Sequence, residues 1–522
     1  MPATSESPVT ARLRRIDPFV WIIGAASLIT VVVARMAGVS FTADQLSAHP
    51  HIVTWQLLDL PLLQHDLLRS IYQLEMQPPL YNLGIGILLH LPRTLQKSAA
   101  ELVQFLFYVV TGLATFGALR ELGSPRRIAL GVTIVLVVLD PAQFLYSATT
   151  FYATPTAALV TCLAYSIIRL IKHPTYYRAL AFGAIGATLA LLNTSVQPLF
   201  VFVLSLLVVL AARAAWRTIV RGFLIPLSIL LLWTVHTLVS FGTPATSTWL
   251  GMNAAHATIS AAPPHEIQRL IRTHRLSPLA AIGPFSSLAS YGPVPSSHGN
   301  SALTQVTKED GSPNFNNRAY VAISNRYLHE DLRYVRAEPY QYLTHVVDGV
   351  TIWFVPADQY FTLSPGMAWY RDAYDTYIQW QPQNDPNAGY LAAFFHQYPS
   401  SSQISYLQLA EVLLILIGVP VLVVAWWKRQ PALARAMALV GVVFLQSFVI
   451  MNLTDIGENN RFRFEAGTLP IILATTVILA TLGRLQTEEP SRHIDPVSSR
   501  ETAGETILAS ASATELSHPS GV

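Results

Sequence analysis

Long apolar runs separated by short basic turns constrain this chain more than any motif it carries. Runs near 19–37, 78–95, 102–120, 127–146, 149–171, 179–194, 196–213 and 222–242 cross, or nearly cross, a hydrocarbon layer about 30 Å thick. After a long interruption three more follow, near 404–427, 434–453 and 466–484. Inside lipid the backbone must satisfy its own polar groups, so runs of this kind fold as helices. Only 12% of the 522 residues are charged, about half the roughly 25% usual in soluble proteins. The expected fold is therefore an all-α polytopic membrane protein with about 10–11 transmembrane segments.

Basic residues orient these segments. Arg12, Arg14 and Arg15 place the N-terminus in the cytoplasm, and the first apolar run, lacking a small-residue cleavage site, reads as a retained anchor. Arg120, Arg126 and Arg127, then Arg169, Lys172 and Arg178, then Arg213, Arg217 and Arg221, mark further cytoplasmic turns. Lys428, Arg429, Arg435 and Arg484 mark the last ones. Loops 38–77, 243–403 and 454–465 then share the outer face. Parity requires that one short segment between 78 and 120 fail to cross.

The implied organisation is a cytoplasmic N-terminus (1–18) and a membrane domain (19–242) whose first outer loop is 38–77. An outer soluble domain (243–403), C-terminal membrane helices (404–484) and a disordered cytoplasmic tail (485–522) follow. Segment 243–403 is rich in histidine and proline, and its middle, about 315–352, has a helical rhythm of Tyr320, Ile323, Tyr327, Leu328, Leu332, Tyr340, Leu343 and Val346. The tail, rich in Ser, Thr, Glu and Ala, cannot bury enough apolar surface to fold alone. A single cysteine, Cys162, excludes an intrachain disulfide. The net charge of +3, without a basic tract, argues against nucleic acid as a partner.

Three constellations could carry chemistry. The first outer loop holds Asp44, His49, His51, Asp59, His65, Asp66 and Glu75, and it ends in Glu75-Met76-Gln77-Pro78-Pro79-Leu80 at a helix start. Two prolines suit the first turn, which needs no intrahelical N–H partner. An acid in such a loop can serve as general base toward a hydroxyl, while solvated or helix-capping roles are the plainer reading. The second is Glu458-Asn459-Asn460-Arg461-Phe462-Arg463-Phe464-Glu465, where two guanidinium groups suit bidentate phosphate recognition, an interfacial salt bridge, or snorkelling that anchors a helix. The third is Asp140-Pro141, an aspartate at membrane depth that either faces a polar cavity or ends a helix. Asn193, Thr194 and Gln197 form a similar break.

At these residues the chain resembles the integral-membrane GT-C glycosyltransferases, among them protein O-mannosyltransferases and aminoarabinose transferases. Glu75-Met76-Gln77-Pro78-Pro79-Leu80 is similar to the acidic-x-His-Pro-Pro-Leu motif closing their first outer loop, with Gln77 in place of histidine. Glu458 to Phe464, followed by Pro470, resembles their late Glu-x-x-Arg-Tyr/Phe-Arg element. The resemblance covers roughly 15–242 and 404–484 and implies a GT-C-like helical bundle with a mainly helical outer domain.

It further implies transfer of a sugar from a polyprenyl-phosphate-linked donor to a lipid, glycan or protein acceptor, outside a bacterial inner membrane, with inversion. Asp44 is the best positional match for the catalytic acid, with Asp59 and Asp66 beside it. Arg461 and Arg463, with Glu458, would hold the donor phosphate, and Glu75, Gln77 and Asp140 would shape the site. A divalent cation, Mg2+ or Mn2+, could bridge acids and phosphate, although no cluster in the sequence demands one. Two other classes stay open: a transporter or flippase for a lipid-linked solute, and a non-catalytic scaffold of envelope assembly.

Overall fold

The computed structural model describes residues 17–42, 55–292, 301–360, 363–364, 366–381 and 404–486. The N-terminal arginines, Asp44, His49, His51 and the tail beyond 486 lie outside them. These residues are mostly helical. Apart from helices only two isolated bridges are seen, Thr42 with Thr149 and Thr307 with Pro313, and no sheet.

Proline at the first helical turn starts many of these elements, its fixed φ being pre-set for a helix. Helix α1 (Pro18–Met36) begins this way, with Asp17 accepting from the Phe19 N–H. Then come α2 (Leu60–His65), α3 (Leu67–Tyr72), α4 (Pro79–Leu89) and α5 (Arg93–Glu121). Helix α6 (Arg126–Val138) bends by 57° into α7 (Pro141–Ser147). Helices α8 (Ala153–Lys172), α9 (Tyr176–Leu192), α10 (Pro198–Ala211) and α11 (Trp216–Phe241) follow. Gly183 and Gly222 let α9 and α11 touch, since a Cβ at either would overlap Pro226 or Ala179. Small residues serve membrane helices in this way.

The loop-side region carries α12 (Leu250–Ala257), α13 (Pro264–Arg272), α14 (Ala319–Ala337), α15 (Pro339–Trp353) and α16 (Ala368–Tyr377). The chain returns through α17 (Tyr406–Trp426) and α18 (Pro431–Thr454), and then α19 (Asn459–Ala466) bends by 57° into α20 (Thr468–Thr481).

Among the described residues six helices are long and apolar enough to cross a membrane, or eight when each bent pair counts as one span. The protein is thus an integral, polytopic membrane protein with a helical extramembrane region. Its basic turns meet at one end. Arg126 approaches Asp17 at 3.8 Å, Glu121 pairs with Arg169 and Lys172, and Arg435 donates to the Ala211 carbonyl. The loops meet at the other end, where Thr248 N donates to the Glu75 carbonyl, Tyr342 to that of Leu453, and Thr42 N to that of Ala148.

This arrangement settles the parity between 78 and 120. Helix α4 has 11 residues, about 16 Å of rise against a hydrocarbon core of about 30 Å. It stays near the loop end, and α5 alone makes the passage. The shorter α9 and α10 also run between the two ends. Asn193, after α9, reaches Thr156 and Glu465, whereas Ala211, ending α10, meets Arg435.

The rhythm over 315–352 is split in two. Glu338 precedes Pro339, and a residue before proline is driven out of the helical region, so α14 ends and α15 begins there. Tyr320, Ile323 and Tyr327 are buried as the rhythm predicts, but Leu332, Tyr340 and Leu343 face outward. At Gly251, α12 lies so close to α14 that a Cβ would overlap the Ser324 carbonyl.

Candidate functional site

Helix α19 presents two different faces, because residues three and four apart on a helix stack while those two apart diverge. Glu458, Arg461 and Glu465 share one face. Arg461 is 2% exposed, with Nη1 donating to Glu465 Oε1 at 2.8 Å and Nε to Glu458 Oε2 at 3.0 Å. Its Nη2 also donates to Glu458. Both carboxylates have further partners: Tyr360 donates to Glu458 at 2.9 Å and Asn193 to Glu465 at 2.8 Å. The guanidinium lies 4.3 Å from the Phe462 ring centroid and 5.2 Å from that of Phe151. Every nitrogen of Arg461 is engaged within the protein.

Arg463 points elsewhere. It is 4% exposed, makes no ion pair or hydrogen bond among the described residues, and its Nε is buried without a partner. It lines a cavity of about 20 Å³, room for one water, together with Asp140, Gln143, Tyr374, Gln408 and Glu411. Glu411 Oε2 and Gln143 Oε1 are also buried without partners. The cavity therefore holds one guanidinium, two carboxyls and several unmet polar atoms. Both helix breaks lie beside it, α6 to α7 at Asp140 and α19 to α20 at Gly467. Asp140 is also the cap of α7, its Oδ1 accepting from the Ala142 N–H at 3.0 Å.

The first outer loop is bound to the loop-side region. Asn316 Oδ1 accepts from the Glu75 and Met76 N–H groups at 2.8 and 3.2 Å, and Ser247 donates to the Met76 carbonyl at 2.6 Å. Glu75 is 1% exposed; Thr248 donates to its Oε2 while Oε1 has no partner. Burial pushes this carboxyl up to about 8, against the opposing Thr248 hydrogen bond. Gln77 is buried as well.

Asp59 accepts from Gln305 and from the Glu309 N–H, tying the loop to residues 305–309. Buried Lys308 stands there, lowered by desolvation to about 8, with Asp310 and Asp59 opposing the shift. Asp66 is half-exposed and 3.6 Å from Arg69. The structure thus brings Asp140 and Arg463 together, isolates Arg461 with Glu458 in a closed network, and leaves Asp66 at the surface.

Sequence reasoning missed Glu411 and Gln143. Glu411 is the one acid in the apolar run 404–427, and an intramembrane acid is a functional candidate on that ground alone. No metal-holding group of three or more His, Cys, Asp or Glu residues occurs among the described residues. A separate cleft of about 600 Å³ lies between Ile259–Ile267, Ala280–Gly283 and the Gln341–Asp348 face of α15. No protein-family model matches the sequence, and comparison with curated proteins finds no match.

Proposed function

We propose that the protein is a membrane glycosyltransferase that moves a sugar from a polyprenyl-phosphate-linked donor to an acceptor hydroxyl at its loop end, in a bacterial inner membrane. One observation supports this reading above the motifs: Arg463, a buried guanidinium with no counter-ion bonded to it, beside Asp140 and Glu411. A cation held ready in a water-poor site is suited to charge that develops during reaction.

The acceptor oxygen attacks the anomeric carbon as a carboxylate takes its proton. The bond from that carbon to the phosphate oxygen breaks, the phosphate keeps the electron pair, and configuration inverts. Arg463 meets the growing phosphate charge. Asp44 is the proposed base, Glu75 and Gln77 hold the loop that carries it, and Arg461 fixes α19. Were a divalent cation used, Asp59 and Asp66 are the described acids of the first loop that would hold it, and it would supply positive charge toward the phosphate. A cavity sized for one water means that the helices around Arg463 must part for a sugar phosphate.

Native mass spectrometry of the protein in nanodiscs tests the reading. Polyprenyl phosphate should be retained over bulk phospholipid by the wild type and by Arg461→Lys, and lost in Arg463→Ala. Equal retention by wild type and Arg463→Ala would remove the phosphate role. The two helix breaks favour a second reading, a transporter of a lipid-linked solute, since transporters build sites at broken helices. Solute movement in sealed vesicles without any glycosylated product would select it.

A further inference from the structure

Helix α15 is tied at both ends to the level where the membrane helices stop. Near its start Tyr342 Oη donates to the Leu453 carbonyl at 2.9 Å, in the last turn of α18. Directly after its end the Phe354 carbonyl accepts at 2.8 Å from the N–H of Ser405, the cap of α17. Both of those helices run back to the basic turn at Lys428 and Arg429. Helix α17, with 21 residues, rises about 31 Å, and α18, with 24, about 36 Å. Either length crosses a hydrocarbon core of about 30 Å. Leu453 and Ser405 therefore mark the upper boundary, and α15 lies along it.

Successive residues of a helix turn by about 100°, which divides α15 into three faces. His345, Gly349, Ile352 and Trp353 are buried against the protein. A Cβ at Gly349 would press on the Asn459 side chain, and Trp353 meets the Phe448 ring edge-on at 5.2 Å. One flank is polar, with Gln341, Thr344 and Asp348 lining the cleft against α13. The other is apolar along its whole length: Leu343, Val346, Val347 and Val350, with Tyr340 at its margin. Tyr340, Leu343 and Val347 are 81%, 58% and 62% exposed.

The apolar flank adjoins the lipid-facing side of α18. Tyr342 and Trp353, which touch α18, stand between the buried face and this flank, so the flank turns toward α18 and away from the cleft. There α18, long and apolar enough to cross a membrane, exposes Val449, Ile450 and Leu453. Exposed apolar surface thus continues from a membrane helix onto α15. Helix α15 carries no Lys or Arg, and its one carboxylate, Asp348, is on the opposite flank. A contiguous apolar patch marks an interaction site. A helix lying along a bilayer boundary buries such a flank about 5–10 Å into the headgroup and acyl-chain junction. Tyrosine, with an apolar ring and a polar tip, suits that level.

We infer that α15 is an interfacial helix whose Tyr340–Leu343–Val347 flank docks on the bilayer surface at the loop end. The inference rests on packing and is independent of the transferase reading. With no basic residue on the helix, burial of apolar area carries the contact, and neutral phospholipid suffices. The polar flank and its cleft stay on the water side. Because Gly349 packs on Asn459, α19 with its two arginines stands one helix away from the leaflet surface.

The test uses the full chain with Cys162 replaced by serine and one cysteine introduced. The cysteine is labelled with bimane in detergent, and the protein is reconstituted into vesicles of neutral phospholipid. Val347→Cys and, separately, Leu343→Cys report the apolar flank. Thr344→Cys reports an exposed position on the polar flank, and Gln268→Cys the exposed side of α13. Lipid brominated near the top of its acyl chains should quench bimane at 343 and 347 at least threefold more than at 344, and leave 268 unquenched. Lipid brominated near the chain ends should quench 343 and 347 less than the shallow quencher does, and aqueous iodide should favour 268 and 344. Equal lipid quenching at 344 and 347 would overturn the inference. So would protection of 343 and 347 from both lipid and iodide, which would assign the flank to a protein partner or a second copy of the chain.

Discussion

The two arginines of α19 are two residues apart in sequence and face opposite electrostatic worlds. Arg461 is enclosed by two glutamates and aromatic rings, with every nitrogen engaged. Arg463 lies as deep, beside two carboxyls that do not close on it, with Nε unmet. A buried ion pair is costly to break, because one partner is left charged and unsolvated. A buried charge with no bonded partner is costly to keep. The first arrangement ties the helix to its neighbours, whereas the second leaves a guanidinium facing a small polar cavity.

Replacement of each arginine separates these roles. Arg461→Ala leaves Glu458 and Glu465 buried without their cation, a loss of about 3–5 kcal/mol. The expected result is little monodisperse protein after extraction and a markedly lowered unfolding temperature in detergent. Wild-type yield and melting in Arg461→Ala would dissolve the contrast. Arg463→Ala removes a charge that bonds to no carboxylate, so it should lower the unfolding temperature less than Arg461→Ala does. Transfer, measured with a polyprenyl-phosphate sugar, should fall by about 10²–10³-fold, as for removal of a donor at developing charge. Reversed outcomes, with Arg463→Ala unfolded and fully active after rescue, would exchange the two assignments.

Glu75 extends the comparison to a carboxyl without a cation. Its folded pKa, about 8, lies above the ordinary value of 4.5 because burial penalises the charged form. Between those values the folded state binds more protons than the unfolded one, so stability is full below the lower value and falls as pH rises through the upper. The slope approaches about 1.4 kcal/mol per pH unit at most. Unfolding of the wild type should be easier at pH 8 than at pH 6, and Glu75→Gln, which keeps an acceptor for Thr248, should flatten that difference. An unchanged slope in Glu75→Gln would place the titrating group elsewhere.

How far the sequence could be read depends on the kind of signal. The polytopic helical fold was legible because apolar run length is a local property, but of the ten or eleven expected segments only six helices, or eight with each bent pair as one span, are long and apolar enough among the described residues. The failure of one segment to cross was legible as an arithmetic need, but its identity, α4, rests on where helix ends meet. The arginine pair was legible as chemistry and not as geometry. Two residues of spacing on a helix send side chains apart, and which one is neutralised depends on Asn193, Tyr360 and Glu411, distant in sequence.

The acids of the first loop give the smallest expected effects and the finest test. Asp59 holds Gln305 and the Glu309 N–H, so Asp59→Asn weakens a junction between two segments. A cost of about 1.5 kcal/mol, the low end for hydrogen bonds to a charged group, follows, with melting lowered and donor affinity unchanged. Asp66 is half-exposed and only 3.6 Å from Arg69; surface pairs of this kind contribute about 0–1 kcal/mol. Asp66→Asn should leave both melting and transfer at the wild-type level. If transfer instead collapses in Asp66→Asn while melting holds, the reacting centre lies at the surface of the first loop, not between α6, α17 and α19. The unmet guanidinium of Arg463 would then need another explanation.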